Sequence, residues 1–506
     1  MARSDVAGVV VAATAAIALA AFGIVRGTWA VGGSDSSCYA LTALAMAEGR
    51  LQPVSPFAAE APWPNAPLTL APGGFIPSPV RADAASPICA PGMAVLMAPM
   101  AMLFGRDAIF WLVPLSSVVL VMACFFIARE IGGATAGVVA AVLIASSPIV
   151  LYQVVQPMND VLTAALWMAA FALAMHRQYF ASGLLAGVAI LVRPNLAPLL
   201  LGISASPLVL QHARAWRATS LTVAAAIPGV LAMLALNNAL YGGAFASGYG
   251  DATRLFSASN IDDNLVNFGG ALLETQYLVP MIGLAAPTLF TQAARRLSVW
   301  LIAAALTVIA IYAFYQPYPE WWYIRFLMPA IALLLALTGA VMVHAASRAR
   351  MGGLVPITAV VLAILGIRTA ADRQAFDLQA LEGRYRTTAQ IVSERLPANA
   401  ALITVWQSGS VRFHADREAV MWDSMDPGWL DRAVAWLSSR GRPPYLLLER
   451  REEGEFRSRF RGHSEYGALD WPPRIDINRQ VRIYDPADRA RYLAGEAYAT
   501  DNLRPR

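Results

Sequence analysis

Residues 107–128 are DAIFWLVPLSSVVLVMACFFIA, a run with one charged side chain that is long enough to cross a bilayer as a helix. Further apolar runs flank it on both sides. They lie at 6–25, 88–104, 132–150, 161–175, 180–192, 195–210, 218–237, 277–292, 298–315, 325–345 and 352–368. The sequence therefore predicts a polytopic α-helical membrane protein.

The composition agrees with a lipid environment. Hydrophobic residues make up 57% of the 506 residues and charged residues 14%, whereas soluble domains carry about 25% charge. The net charge is +5 and every basic residue is an arginine. Because the arginines are dispersed or lie at the ends of apolar runs, membrane lipid is the expected partner and nucleic acid is not.

Arginines in short loops predict the orientation of the spans. These loops contain Arg3, Arg129, Arg177, Arg214, Arg217, Arg295, Arg296, Arg348 and Arg350. Placing them in the cytoplasm predicts about eleven spans in the cytoplasmic membrane, with a cytoplasmic N-terminus and an outer C-terminus. The pattern requires that 91–104 lies along the surface or re-enters, and that 180–192 and 195–210 form a bent hairpin. The run at 6–25 is interpreted as a retained signal anchor.

Two domains are predicted from the change in composition. Residues 1–367 form the transmembrane domain, whose long first outer loop covers about residues 27–106. Residues 368–506 are predicted to form a small extracytoplasmic α/β domain. Periodicity predicts helices at 384–396 and 429–439, and strands at 401–405, 445–449 and 481–485.

The chain has three cysteines and five histidines. Cys124 lies in an apolar run, where it is expected to pack as a small hydrophobic residue. Cys38 and Cys89 bracket the first outer loop, and the sequence leaves open whether they form a disulfide or stay free. The histidines form no metal-binding pattern, so neither a metal site nor a cofactor is predicted, although a divalent metal stays open.

Two aspartates at predicted outer helix ends are candidate catalytic residues. Asp35 lies in GGSDSSCYALTALAMAEGRL and Asp160 in YQVVQPMNDVLTAALW. Either carboxylate could remove a proton from an acceptor hydroxyl or bind a metal. The alternative is that each is a helix N-cap, where Asp is favoured. Because both fall at outer ends of spans, we favour the functional interpretation.

Two arginines are candidate ligands for a phosphate. Arg193 lies among apolar residues in AILVRPNLAPLL, where it either clamps a lipid-linked phosphate or forms a structural salt bridge, for example to Asp160. Arg325 follows Glu320 and Trp322 in QPYPEWWYIRFLMP. The tryptophans there form either an interfacial aromatic belt or a surface on which a sugar stacks.

The order of these motifs resembles the GT-C superfamily of polyprenyl-phosphate-sugar glycosyltransferases, in particular the bacterial relatives of protein O-mannosyltransferases and aminoarabinose transferases. The resemblance covers residues 1–368. It rests on Asp35 with Tyr39, APGMAVLMAPMAMLFG, QPMND, Arg193-Pro194, NNALYGGAFASGYG and WWYIRFLMP. Many relatives have Asp-Glu in the first loop, whereas Ser36 follows Asp35 in this chain.

The resemblance implies transfer of a hexose or pentose from a polyprenyl-phosphate donor to a cell-envelope acceptor, by one inverting displacement. Asp35 and Asp160 would be the catalytic acids, and Tyr39, Arg193, Glu320, Trp322 and Arg325 would contact substrate. Two alternatives are a lipid or solute transporter, which would be expected to have an internal repeat, and a non-catalytic envelope assembly protein on the same scaffold.

Overall fold

The computed structural model describes residues 3–504, without the side chains of Arg3, Ser4 and Ala252. The α-helices, in chain order, are α1 Arg3–Val25, α2 Gly33–Ala47, α3 Ala66–Thr69, α4 Gly92–Phe104, α5 Leu112–Ala145, α6 Pro148–Gln153, α7 Asn159–Met175, α8 Tyr179–Val192, α9 Leu199–Val209, α10 Ala215–Tyr241, α11 Ile261–Gln276, α12 Ala286–Leu289, α13 Gln292–Ala313, α14 Met328–Arg348, α15 Leu354–Asp372, α16 Leu378–Arg395, α17 Ser408–Ala415, α18 Leu430–Ser439, α19 Glu452–Phe460 and α20 Pro486–Leu493. The strands are β1 Phe75–Pro77, β2 Ala85–Pro87, β3 Ala401–Ile403, β4 Glu418–Val420, β5 Pro444–Glu449, β6 Ile475–Ile477, β7 Val481–Tyr484 and β8 Asp501–Leu503.

The chain packs as two compact units. The first unit comprises Met1–Thr28, Ala108–Ala235 and Gly250–Gln379, and the second comprises Trp29–Asp107, Leu236–Tyr249 and Ala380–Arg506. Most of the long apolar helices belong to the first unit. The second unit contains all eight of the strands that the structure describes.

Helix α5 of the first unit is a hairpin, not a straight rod. Gly133 has φ 81° and ψ 179°, so the helical path breaks there, in a conformation that residues with a Cβ rarely adopt. A Cβ on Gly137 would lie 2.7 Å from the Phe125 ring, although twelve residues span about 18 Å in a straight helix. The two halves of α5 correspond to the predicted spans at 107–128 and 132–150.

Small residues let α8 and α10 approach closely in the first unit. A Cβ on Gly183 would lie 2.1 Å from the Thr222 carbonyl oxygen, and one on Gly187 would lie 2.6 Å from that of Ala226. Such close backbone contact is typical of helices that pack in a bilayer, where dispersion and not exclusion of water drives association.

One predicted span differs in the structure. Residues 277–292 do not form a continuous helix, since a 3₁₀ helix at Val279–Ala285 leads into the short α12. Pro280 and Pro287 lie in this segment, and each removes a backbone donor that an α-helix needs. Helix α11, before it, was not predicted, because its two aspartates and its glycine pair hide its apolar face.

The second unit is built around a six-stranded mixed sheet in the order β4-β3-β5-β7-β6-β8. Strands β4, β3 and β5 run parallel, while β7 is antiparallel to both β5 and β6. The predicted strands correspond to β3, β5 and β7, and the predicted helices to α16 and α18. Helix α16 begins six residues before its predicted start at 384.

Residues 29–107 contribute to the core of this second unit. Trp63 and Leu70 pack with Trp422, Phe456 and Phe460 in a single buried apolar cluster. Cys38 of α2 forms a disulfide with Cys89, which resolves the alternative that the sequence left open. The bond ties α2 to the segment that follows β2.

The predicted fold class is confirmed: the chain is a polytopic helical membrane protein with a C-terminal sheet region. Among the described residues, six helices are long and apolar enough to cross a membrane, and shorter apolar helices accompany them. Cys124 is buried, as predicted. The domain boundary at residue 368 stays a prediction.

Candidate active site

Asp160 lies in the first turn of α7 and is 1% exposed. Met158 is extended and serves as the N-cap, so the helix begins at Asn159. The Asp160 carboxylate lies 2.8 Å from Nη1 of Arg193 and 3.7 Å from Nε of Arg325. A buried acid therefore lies between two arginines, and the three groups together carry a net charge of +1.

Arg193 reaches Asp160 because α8 ends at Val192. A residue that precedes proline is disfavoured in the helical region, and Arg193 has φ −143° and ψ 85° before Pro194. Nδ2 of Asn159 contacts the Val192 carbonyl at 3.5 Å, which links the start of α7 to the end of α8. The Arg193 side chain is 12% exposed. The structural salt bridge expected as one alternative for Arg193 is present.

Aromatic rings surround both guanidinium groups. Arg193 lies over Phe326 at 5.4 Å and over Tyr312 at 5.9 Å. Arg325 lies over Tyr323 at 5.0 Å and over Phe326 at 5.4 Å. Ring faces attract cations within about 6 Å. These contacts hold the positive charge in an apolar part of the molecule.

Arg325 belongs to a 3₁₀ helix, Trp321–Leu327, whose other side chains form an aromatic cluster. Trp322 stacks on Tyr152 with a centroid distance of 6.3 Å, and Tyr323 stacks on Tyr318 at 4.1 Å. Trp322 is partly exposed, while Glu320, the N-cap of the 3₁₀ helix, is exposed. Both interpretations of Trp322, as an interfacial anchor and as a sugar-stacking surface, fit this placement.

Asp35 and Tyr39 lie on α2 in the second unit. Gly32 is the N-cap of α2, so Asp35 is the third residue of the helix and Tyr39 lies one turn further along the same face. The N-cap interpretation is therefore wrong for both aspartates, since Gly32 and Met158 occupy those positions. Both carboxylates lie in first turns, where the helix dipole favours negative charge. Asp35 is partly exposed and Tyr39 is 5% exposed.

A partly buried histidine of the second unit contacts the segment that leads into α2. Nε2 of His414 accepts a hydrogen bond of 3.3 Å from the backbone N–H of Val31. Burial, with a smaller contribution from the Arg386 guanidinium, lowers the pKa of His414 to about 4. The imidazole is therefore neutral at physiological pH, as an acceptor must be.

The glycine-rich loop after α10 packs against β2 in the second unit. The Tyr241 hydroxyl donates a hydrogen bond of 2.8 Å to the Pro87 carbonyl. A Cβ on Gly248 would lie 2.2 Å from the same oxygen, so only glycine allows this approach. Phe245, between the two anchors, is 92% exposed.

The sequence pointed to Asp160, Arg193 and Arg325 separately, and the structure brings these three together. The sequence analysis did not single out Tyr312, Phe326 or Tyr152. For Tyr312 and Phe326 the available signal was the density of aromatic residues at 312–326. Among the described residues, no group of three His, Cys, Asp or Glu side chains is placed to hold a metal ion.

The sequence model of the family described as dolichyl-phosphate-mannose-protein mannosyltransferase matches residues 87–237. Among solved structures, the chain is similar to ArnT from Cupriavidus metallidurans bound to undecaprenyl phosphate. The TM-score is 0.58 at 14% identity, over 87% of this chain and 93% of that one. The chain has the GT-C fold.

Two further structures agree with this GT-C assignment. ArnT in the apo state matches with a TM-score of 0.56 at 14% identity, again over 87% of this chain and 93% of the other. AglB from Archaeoglobus fulgidus, in complex with an inhibitory peptide and a dolichol-phosphate, matches with a TM-score of 0.52 at 12% identity, over 88% of this chain and 70% of that one. No curated protein matches the sequence. The GT-C fold that the resemblance implied is confirmed by these structures.

Proposed function

We propose that the chain is a membrane glycosyltransferase that moves a sugar from a polyprenyl-phosphate donor to a cell-envelope acceptor. The observation that carries the proposal is the buried group of Asp160, Arg193 and Arg325, with its net positive charge and aromatic surround, in a GT-C fold. The family match supports it, because its span includes Asp160 and Arg193.

The two arginines would bind the donor phosphate. Guanidinium groups donate paired hydrogen bonds that match phosphate oxygens. As the bond to the sugar breaks, negative charge grows on the leaving phosphate, and fixed cations in a water-poor site stabilise that charge by several kcal/mol. Because one carboxylate faces two guanidinium groups, the three side chains keep a net charge of +1, which attracts the phosphate.

Asp35 would be the base that takes the acceptor proton, while Asp160 would hold the arginines. Asp35 is partly exposed, so a hydroxyl can approach it. Both oxygens of Asp160 lie beside arginine nitrogens. The acceptor oxygen then attacks the anomeric carbon as the phosphate leaves from the opposite face, which inverts that carbon.

The reaction would take place on the outer face of the cytoplasmic membrane, with the N-terminus inside and the C-terminal region outside. Positive-inside loops support this orientation. Glu320, Trp322 and Tyr39 would contribute to sugar or acceptor binding. The donor could carry a hexose or a pentose.

Replacement of Asp35 tests the assignment. Asp35→Asn keeps the shape of the side chain and removes its proton-accepting charge, so transfer from polyprenyl-phosphate sugars in membranes should fall about 100-fold or more. Asp423→Asn, which changes an exposed acid of the same unit, is the control. Mass spectrometry of envelope glycans and glycolipids, in a strain lacking the gene, would identify the product. Parental rates in the Asp35→Asn enzyme would reject Asp35 as the base.

A further inference from the structure

A cavity of about 210 Å³ lies within the second unit. One side of α2 forms part of its lining, and segments around residues 50, 106 and 412–418 form the rest. Its volume is below the roughly 300 Å³ at which sites for whole small molecules begin. It has room for one small polar group.

The lining of this cavity is strongly charged. It contains the arginines Arg50, Arg106, Arg412 and Arg417 and the acids Glu48, Asp416 and Glu418. Three of the arginines are paired: Arg50 with Glu48, Arg106 with Asp416 at 2.9 Å, and Arg412 with Glu418 at 2.6 Å. Four positive and three negative side chains leave a net charge of +1.

Of the four arginines that line the cavity, Arg417 is the one without an acidic partner among the described residues. In the part of the chain that the structure describes, no carboxylate lies within salt-bridge distance of it, and its guanidinium has one acceptor, the Ala415 carbonyl at 2.7 Å. A guanidinium has five N–H donors. Arg417 therefore has donors to spare on the wall of a cavity that is already positive.

Helix α2 relates this cavity to Asp35. Asp35 lies in the first turn of α2, while Leu41, Leu44, Ala45 and Glu48 of the same helix and its C-cap line the cavity. With 1.5 Å of rise per residue, the cavity extends from about 9 to about 20 Å along the helix axis from Asp35. That separation is fixed by one rigid element.

We propose that the cavity binds an oxyanion of the acceptor, a phosphate or a carboxylate, while Asp35 takes the proton from a hydroxyl about 9 to 20 Å away along α2. This inference rests on the proposed function. It makes the acceptor an acidic glycan or glycolipid whose reacting hydroxyl and oxyanion are separated by the length of a short oligosaccharide. The cavity would thereby select acceptors by their negative charge and by the distance between that charge and the reacting hydroxyl.

Binding can be measured without knowing the natural acceptor. Full-length protein in detergent is titrated with inorganic phosphate, with glucuronate, and with glucose as the neutral probe, while hydrogen exchange is followed at 41–50 and 412–418. Phosphate or glucuronate should protect these segments and glucose should not. A preference for phosphate would indicate a phosphorylated acceptor, and a preference for glucuronate an acidic sugar.

Arg417→Gln should weaken oxyanion binding about tenfold or more, since the change removes the charge that strengthens a hydrogen bond to an anion. Arg432→Gln, at an exposed arginine of α18 outside the cavity, should bind as the parent does. Arg50→Gln changes an exposed residue on the cavity wall and provides a second variant should Arg417→Gln fold poorly.

Equal binding by the cavity variants and the parent would overturn the proposal, as would equal protection by glucose. The outcome is separate from that of the proposed function. A chain that transfers sugar but shows no oxyanion protection would reject the cavity alone. Protection in a chain without transferase activity would reject the acceptor role.

Discussion

Asp160 provides the negative charge that lets Arg193 and Arg325 share a buried site. Isolated guanidinium groups are costly to bury, and two of them would repel each other at close range. The carboxylate offsets part of that cost, and the aromatic rings offset more. At the scale of single residues, we therefore propose that Asp160 positions the arginines.

Asp160→Asn should lower stability and donor binding together. The change leaves two buried positive charges without a counter-ion, and removal of one partner from a buried ion pair costs about 3–5 kcal/mol. Thermal unfolding of the purified protein in detergent would measure the loss.

The matched control is Glu274→Gln. Glu274 pairs with Arg373 at 2.7 Å, but its side chain is 60% exposed, and exposed pairs contribute at most about 1 kcal/mol. Similar unfolding temperatures for the two variants would contradict the positioning role of Asp160.

At the scale of elements, the disulfide between Cys38 and Cys89 fixes the helix that carries Asp35. Cross-links of this kind stabilise by about 2–4 kcal/mol, chiefly by restricting the unfolded chain, and this one closes a loop with a sequence separation of 51 residues. The double variant Cys38→Ser, Cys89→Ser should therefore unfold at lower temperature and transfer sugar more slowly.

Reductant provides the internal control for this prediction. It should lower the unfolding temperature of the parent and leave that of the double variant unchanged, because Cys124, the remaining cysteine, is buried and forms no disulfide. A parent that is insensitive to reductant even after partial denaturation would contradict the role assigned to the disulfide.

The sequence predicted the elements whose pattern is local. Residues 107–128 and 132–150 are apolar enough to identify both halves of α5, and short apolar runs identified β3, β5 and β7. It could not predict that Trp63 and Leu70 pack with Trp422, because that contact joins distant segments. It offered the pair of Arg193 with Asp160 as one of two alternatives, but it could not choose between them, since their proximity depends on how α7 and α8 pack. The break at 277–292 was indicated by Pro280 and Pro287, but the apolar composition outweighed them.

At the scale of the whole molecule, two titratable groups of the second unit, Glu452 and His414, give opposite dependences of stability on pH. Burial raises the pKa of Glu452 to about 7, from an ordinary 4.5. The folded state then binds more protons than the unfolded state between these values, so stability falls as pH rises. His414 has a lowered pKa of about 4 against 6.5, so the stability it contributes is lost as pH falls below 6.5.

Single variants should separate the two effects. In Glu452→Gln only the His414 effect remains, so the free energy of unfolding should rise as the pH is raised from 4.5 to 6.5. In His414→Gln only the Glu452 effect remains, so it should fall over the same range. Each change should be on the order of 3 kcal/mol. Thermal unfolding across this pH range would measure both slopes. Identical slopes in the two variants would contradict the assigned protonation states.

The orientation of the chain can be tested with fusions. A reporter that is active only outside the cytoplasm should be active when fused after Arg368, because the arginine-rich short loops are predicted to face inward. A fusion after Arg177 should be inactive and serves as the control. The reverse pattern would place Asp35 and the proposed acceptor on the wrong side of the membrane.

The turn at Gly133 has a consequence for the synthesis of the protein. Because Gly137 packs against Phe125, the two halves of α5 meet through a tight turn at Gly133. A polypeptide emerging from the ribosome cannot easily leave the first half in the bilayer and hold the second in water, since both halves are apolar and only a short segment with Arg129 and Glu130 separates them. We expect the pair to enter the membrane as a single hairpin, so a bulky residue at 137 would disturb insertion before it disturbed the finished fold.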